Sequence, residues 1–83
     1  MKNLYDLGGL LIRLDKVSFV GNYYVDQFDK VMFDIIVNGV ERKIVIAELL
    51  GKTGDERKTA GEKGKEIWKN FQEAIKQINN ENQ

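Results

Sequence analysis

Val31-Met32-Phe33-Asp34-Ile35-Ile36-Val37-Asn38-Gly39-Val40-Glu41-Arg42-Lys43-Ile44-Val45-Ile46-Ala47 reads as a β-hairpin. Two apolar-rich runs flank Asn38-Gly39, and both of these residues accept the positive φ of a type I′ turn. A two-residue loop pairs Val37 with Val40. Outward from it, Ile35 faces Arg42, Phe33 faces Ile44 and Val31 faces Ile46. One face then carries Val31, Phe33, Ile35, Val37, Val40, Ile44 and Ile46, with Arg42 the only charge on it. The other face sets Asp34 opposite Lys43, a cross-strand ion pair, among Met32, Ile36 and Val45. Those three apolar groups need cover from the N-terminal leader or from another subunit.

Upstream, Gly8-Gly9 punctuates the leader. Leu10, Ile12 and Leu14 then alternate with Leu11, Arg13 and Asp15, the period of a strand. At Val17 and Phe19 the apolar set changes parity, which predicts either a bulge or bend near Lys16 or a short leader strand followed by the main one. Gly21-Asn22 breaks the pattern, either as a hairpin turn or as the start of a loop. Tyr23 to Lys30 mixes three aromatics with Asp26 and Asp29. A short strand and an ordered loop fit that stretch equally well.

Downstream, residues 51–64 hold four glycines and seven charges, the composition of a flexible connection. Thr59 and Glu62 have capping-box spacing, which starts a helix at residue 60. Ile67, Phe71, Ala74, Ile75 and Ile78 recur at three- and four-residue steps, and Trp68 widens the stripe. The helix is expected over 60–79, with a frayed polar tail at 80–83. The expected fold is therefore α+β in a single domain over 1–83. A small antiparallel meander of three or four strands (10–48) is followed by one C-terminal amphipathic helix.

Composition excludes more functions than it suggests. The chain has 83 residues, 13 Lys+Arg, 13 Asp+Glu, and no His, Cys or Pro. Without His and Cys there is no Ser-His-Asp or Cys-His nucleophile. Structural zinc, haem attachment and thiol redox sites are excluded as well. No enzyme is expected, and no catalytic, cofactor-binding or metal-ligating residue is assigned. No apolar run is long enough for a secretory signal or a membrane span, so a cytoplasmic location is expected. Zero net charge gives no general attraction to nucleic acid or anionic membranes. A core this small, with no disulfide or metal to reinforce it, leans on self-association, and a homodimer is expected. Ten lysines against three arginines, with frequent Asn and Ile, is the bias of AT-rich bacterial and phage coding sequences.

Four constellations bear on function. Gly51-Lys52-Thr53 ends like a phosphate-binding loop, but the required first glycine position is Ile46 and no βαβ unit surrounds it. The basic residues of 52–69 are interleaved with Asp55, Glu56, Glu62 and Glu66, which nearly cancel them. The carboxylate pairs Asp26/Asp29 and Asp55/Glu56 match no calcium loop and read as solvated turns. Tyr23, Tyr24 and Phe28 are flanked by acids, which suits a protein interface better than a phosphate backbone. Core packing is the other reading of these three, and of Trp68 at the edge of the helical stripe; as surface groups, the four are the candidate interface residues. The expected function is a non-enzymatic protein–protein interaction domain binding itself, another protein, or both. In a mobile element, it would act by occluding a host protein such as a defence factor. A nucleic-acid-associated module using 52–69 is the alternative. A small-ligand binder housed in a dimer cavity is a second.

Overall fold

The computed structural model of the protein describes residues 4–81, with side chains as far as residue 79. Among the described residues, six strands precede one helix: β1 (Leu4–Leu7), β2 (Leu10–Arg13), β3 (Val17–Val20), β4 (Tyr24–Val25), β5 (Lys30–Val37), β6 (Val40–Glu48) and α1 (Gly54–Glu81). All pairings are antiparallel, in one two-stranded and one four-stranded sheet, so the class is α+β. The strand count exceeds the expected three or four for two local reasons. The leader is itself a hairpin, and one edge of the main sheet is broken into two pieces.

β5 and β6 form the expected hairpin. Asn38 and Gly39 have φ of 53° and 80°. Val37 pairs with Val40, Ile35 with Arg42, Asp34 with Lys43 and Phe33 with Ile44. The register then slips between Val31 and Met32, so Val31 faces Ala47 rather than Ile46. An extra residue in one strand is a bulge, and it breaks the alternation of side chains. Ile46 and Ala47, consecutive in sequence, consequently both come within van der Waals range of a Cβ built on Gly64 of α1.

β3 and β4 lie end to end along the other side of β5. β3 pairs with Ile35–Val37, and β4 pairs with Val31 and Met32. Gly21 bridges the gap by donating its N–H to the carbonyl of Asp34 at 2.8 Å. The stretch Tyr23–Lys30 holds both expected forms in succession, a two-residue strand and then an ordered turn. The turn is built on Asp26, whose Oδ1 accepts the N–H groups of Phe28 and Lys30, each at 2.9 Å. Short acidic side chains stabilise turns in this way by mimicking a backbone acceptor.

The leader reads differently in three dimensions. Gly8 and Gly9 have φ of 63° and 88° and close a two-residue hairpin between β1 and β2. The bend expected near Lys16 is present as a 3-10 turn over Leu14–Lys16.

The helix corrects the expected flexible connection over 51–64. It begins at Gly54, six residues before the expected start, and runs for 28 residues. Its cap is Thr53. The Thr53 N–H and hydroxyl both donate to Glu56 Oε1, at 3.0 and 2.8 Å, and the Thr53 carbonyl accepts the first helical bond, from Arg57 N. Those two bonds hold the Glu56 carboxyl below its ordinary pKa. Thr59 is not a cap. Its hydroxyl donates to the Asp55 carbonyl one turn back, inside the helix. Of the expected frayed tail, residues 80 and 81 continue the helical backbone, while 82–83 lie outside the described residues.

The two interior glycines of α1 play different parts. A Cβ on Gly61 would meet nothing, whereas one on Gly64 would lie 3.3 Å from the Ala47 Cβ and 3.4 Å from Ile46. Gly64 is where the helix crosses the bulged strand. Gly61→Ala is expected to stabilise the fold by about 0.5–1 kcal/mol, since only backbone entropy is at issue. Gly64→Leu is expected to destabilise it by about 1–3 kcal/mol through overpacking. Urea denaturation of the two variants measures both.

A 28-residue helix is about 42 Å long, against about 30 Å for the nine-residue β6. The β1–β2 hairpin covers the excess. Leu7, Ile12 and Leu14 join Phe33, Ile35, Ile44, Phe71 and Ile78 in one buried cluster. The leader therefore packs on the same face of the main sheet as α1, not on the face that carries Met32, Ile36 and Val45. Among the described residues, no helix is long and apolar enough to cross a membrane.

Candidate functional site

The outer face of the four-stranded sheet, turned away from α1, has no covering element among the described residues. The pairings Phe19↔Ile36, Tyr24↔Met32 and Met32↔Val45 place these side chains on that one face. Phe28 extends it from the tip of the Asp26 turn. Exposure is high where a soluble surface is normally polar: Phe28 62%, Phe19 52% and Val45 44%. Tyr24 is also exposed, while Met32 is buried beneath its neighbours.

A small polar network sits between the apolar ends. Asp34 Oδ1 accepts from Tyr24 Oη at 3.2 Å and from Lys43 Nζ at 3.3 Å. The Asp34 carboxylate raises the pKa of the Lys43 ammonium, mainly through that hydrogen bond. The expected cross-strand ion pair is thus present, and it carries a tyrosine as third member. A shallow recess lined by Tyr24, Phe28, Met32 and Lys43 lies beside it.

The four candidate interface residues do not come together. Tyr24 and Phe28 lie on the outer face. Tyr23 turns to the helix side and packs edge-on against Trp68, with ring centroids 5.0 Å apart. Trp68 Nε1 donates to the Gly21 carbonyl at 2.9 Å. Sequence reasoning does not single out Phe19 and Val45. The pairing of β3 places Phe19, and the parity change around Lys16 obscured it. Val45 was legible as part of the second hairpin face.

The other constellations serve the fold. Gly51, with φ of 78°, ends the turn after β6, and Lys52 N donates to the Leu49 carbonyl. Thr53 then caps the helix, so the Gly-Lys-Thr run is a helix entry. Asp29 takes both guanidinium nitrogens of Arg57, at 3.3 and 3.4 Å, and Arg57 also donates to the Leu49 carbonyl. Asp55 and Glu56 occupy the first turn of α1, where negative charge complements the helix dipole. Lys58, Lys65, Lys69 and Lys76 fall within one narrow stripe of α1 at 100° per residue. Asp55, Glu62, Glu66 and Glu73 form an adjacent stripe, and Lys76 lies 3.6 Å from Glu73. Among the described residues, no group of three or more acidic side chains is placed to hold a metal ion.

Comparison with known protein families, with curated proteins and with solved structures finds no match.

Proposed function

We propose that the chain is a non-enzymatic protein-interaction domain that uses the outer face of its sheet, in the first instance to bind a second copy of itself. The uncovered aromatic surface around Tyr24, Phe19 and Phe28 carries this reading. Exposed apolar patches of this kind mark interaction sites, and aromatic residues are enriched where binding energy concentrates. The face also suits a two-fold partner. It has Asp34 and Lys43 side by side at its centre and apolar groups at both ends, so a copy rotated about that centre meets opposite charge and apolar surface. A domain this small acts on any further partner by occlusion, covering a surface rather than transforming a substrate.

Light scattering across a concentration series tests the reading. Phe19→Asp/Phe28→Asp should remain folded by circular dichroism while its self-association weakens about 30-fold or more, the loss of a hot-spot aromatic being worth at least ~2 kcal/mol. A wild-type chain that stays monomeric up to millimolar concentration would remove the self-association reading. An unchanged association constant in the variant would remove the outer face.

A further inference from the structure

On the opposite side of the molecule, a cavity of about 300 Å³ opens between β2 and the tip of the β5–β6 hairpin. Four consecutive residues of β2, Leu10–Arg13, line it. Side chains alternate along a strand, so consecutive residues share one cavity only along the strand's edge. β2 pairs with β1 and with no other strand among the described residues. In a two-residue hairpin the pair flanking the turn, here Leu7 and Leu10, exchanges both hydrogen bonds. Leu11 therefore turns its N–H and C=O, and Arg13 its N–H, away from β1, toward the groove, while the Arg13 carbonyl serves as the N-cap acceptor of the 3-10 turn Leu14–Lys16.

The opposite wall is Val37 and Val40, and the rim is cationic. Lys16 and Arg42 line the cavity and have no ion pair among the described residues. Arg13 is the third cation, and its guanidinium is held by Asp15 at 2.9 Å. Among the described residues, no acidic side chain lines the groove. The floor is fixed by Asn38 N, which donates to the Lys16 carbonyl at 2.9 Å.

We infer that this groove is a second binding site, separate from the outer face, and that it takes an extended segment of a protein partner in which apolar residues alternate with carboxylates. The free edge of β2 offers main-chain pairing to such a segment, the mode by which short peptides add a strand to a sheet. Leu11, Val37 and Val40 receive its apolar side chains, and Lys16 and Arg42 its carboxylates. The openness of the site favours a peptide over a small molecule. Leu11 is 64% exposed, whereas small-ligand sites bury about 70–90% of what they hold.

The test is selection from a displayed library of random heptapeptides on the immobilised chain, followed by fluorescence anisotropy with the enriched peptides. Enriched sequences should carry Asp or Glu alternating with apolar residues, and their affinity should fall as salt rises. Lys16→Glu/Arg42→Glu, shown to be folded by circular dichroism, should weaken them about tenfold, two surface charge pairs being worth up to ~1 kcal/mol each. Phe28→Ala should leave them unchanged. The inference is overturned if nothing is enriched, if the enriched peptides lack acids, or if the charge reversal has no effect. Loss of binding in Phe28→Ala would assign the peptides to the outer face instead. A dimer that only the charge reversal dissociates would give the groove to a second copy of the chain.

Discussion

Phe71→Ala is expected to leave the domain at the edge of unfolding. Phe71 is fully buried and joins the three parts of the core. Its ring centroid lies 5.5 Å from that of Tyr5 on β1 and 5.8 Å from that of Phe33 on β5. Truncating a buried Phe to Ala costs about 3–5 kcal/mol, because the transfer energy is lost and a cavity is left behind. The neighbours here cannot collapse into that cavity cheaply. They belong to two separate sheets whose positions are set by α1 itself. A chain of this length has a total stability of about 4–12 kcal/mol. The melting temperature should therefore fall by roughly 12–40 °C, or the cooperative transition should vanish. Phe71→Leu, which keeps most of the volume, should fall by much less. A Phe71→Ala variant melting within a few degrees of the wild type would show that the hairpin and the main sheet do not share one core.

The hairpin and the amphipathic face of α1 were legible because each is a local pattern. Asn38-Gly39 fixes its own register, and Ile67 to Ile78 repeat at helical spacing whatever surrounds them. The start of the helix was obscured by Gly61, Gly64 and a dense run of charges. Most of the charges form the solvated side of α1, Arg57 instead binding Asp29 and the Leu49 carbonyl, and Gly64 sits at a close crossing with β6 that no local pattern reveals. Thr53-Gly54-Asp55-Glu56 carried the same capping spacing as Thr59 to Glu62, and the earlier of the two starts the helix. The β1–β2 hairpin has a readable signal in Gly8-Gly9 and in the alternation from Leu10, but its strands are only four residues each. For the site, Tyr24 and Phe28 stand as interface candidates because acids flank them, with core packing the other reading. Tyr23 reads with them because adjacency in sequence does not say which side of a strand a residue takes, and Trp68 because it stands at the edge of the helical stripe. Phe19 joins the face only through pairing with Ile36, a long-range fact.

That division of the four aromatics predicts opposite phenotypes, and Trp68 decides it. Trp68 holds the joint between β3 and β4 against the helix, through the Gly21 carbonyl and the Tyr23 ring. It is half-buried, so Trp68→Ala should cost about 2–3 kcal/mol, below the range for a fully buried Trp. Trp68→Phe keeps the ring packing and loses only the N–H donor, which should cost about 1 kcal/mol. A double-mutant cycle with Tyr23→Ala should return a coupling of about 0.5–1.5 kcal/mol, the value of an edge-on aromatic pair. Phe28→Ala should leave stability within about 0.5 kcal/mol, because an exposed ring at a turn tip makes few contacts that folding depends on. Its effect should fall on association instead. Thermal melts and association constants measured on the same four variants separate the two groups. If Trp68→Ala melted like the wild type and lost association, Trp68 would be a contact residue, and the interface would have to include the helix edge. If Phe28→Ala melted early, the Asp26 turn would be part of the core and the outer face would lose its most exposed aromatic. For these four aromatics, the expected pattern puts stability on the helix side of the sheet and self-association on the outer face. It also explains why Tyr23 and Tyr24, neighbours in sequence, serve different ends: one closes the joint that positions β4, and the other sits on the surface that β4 presents.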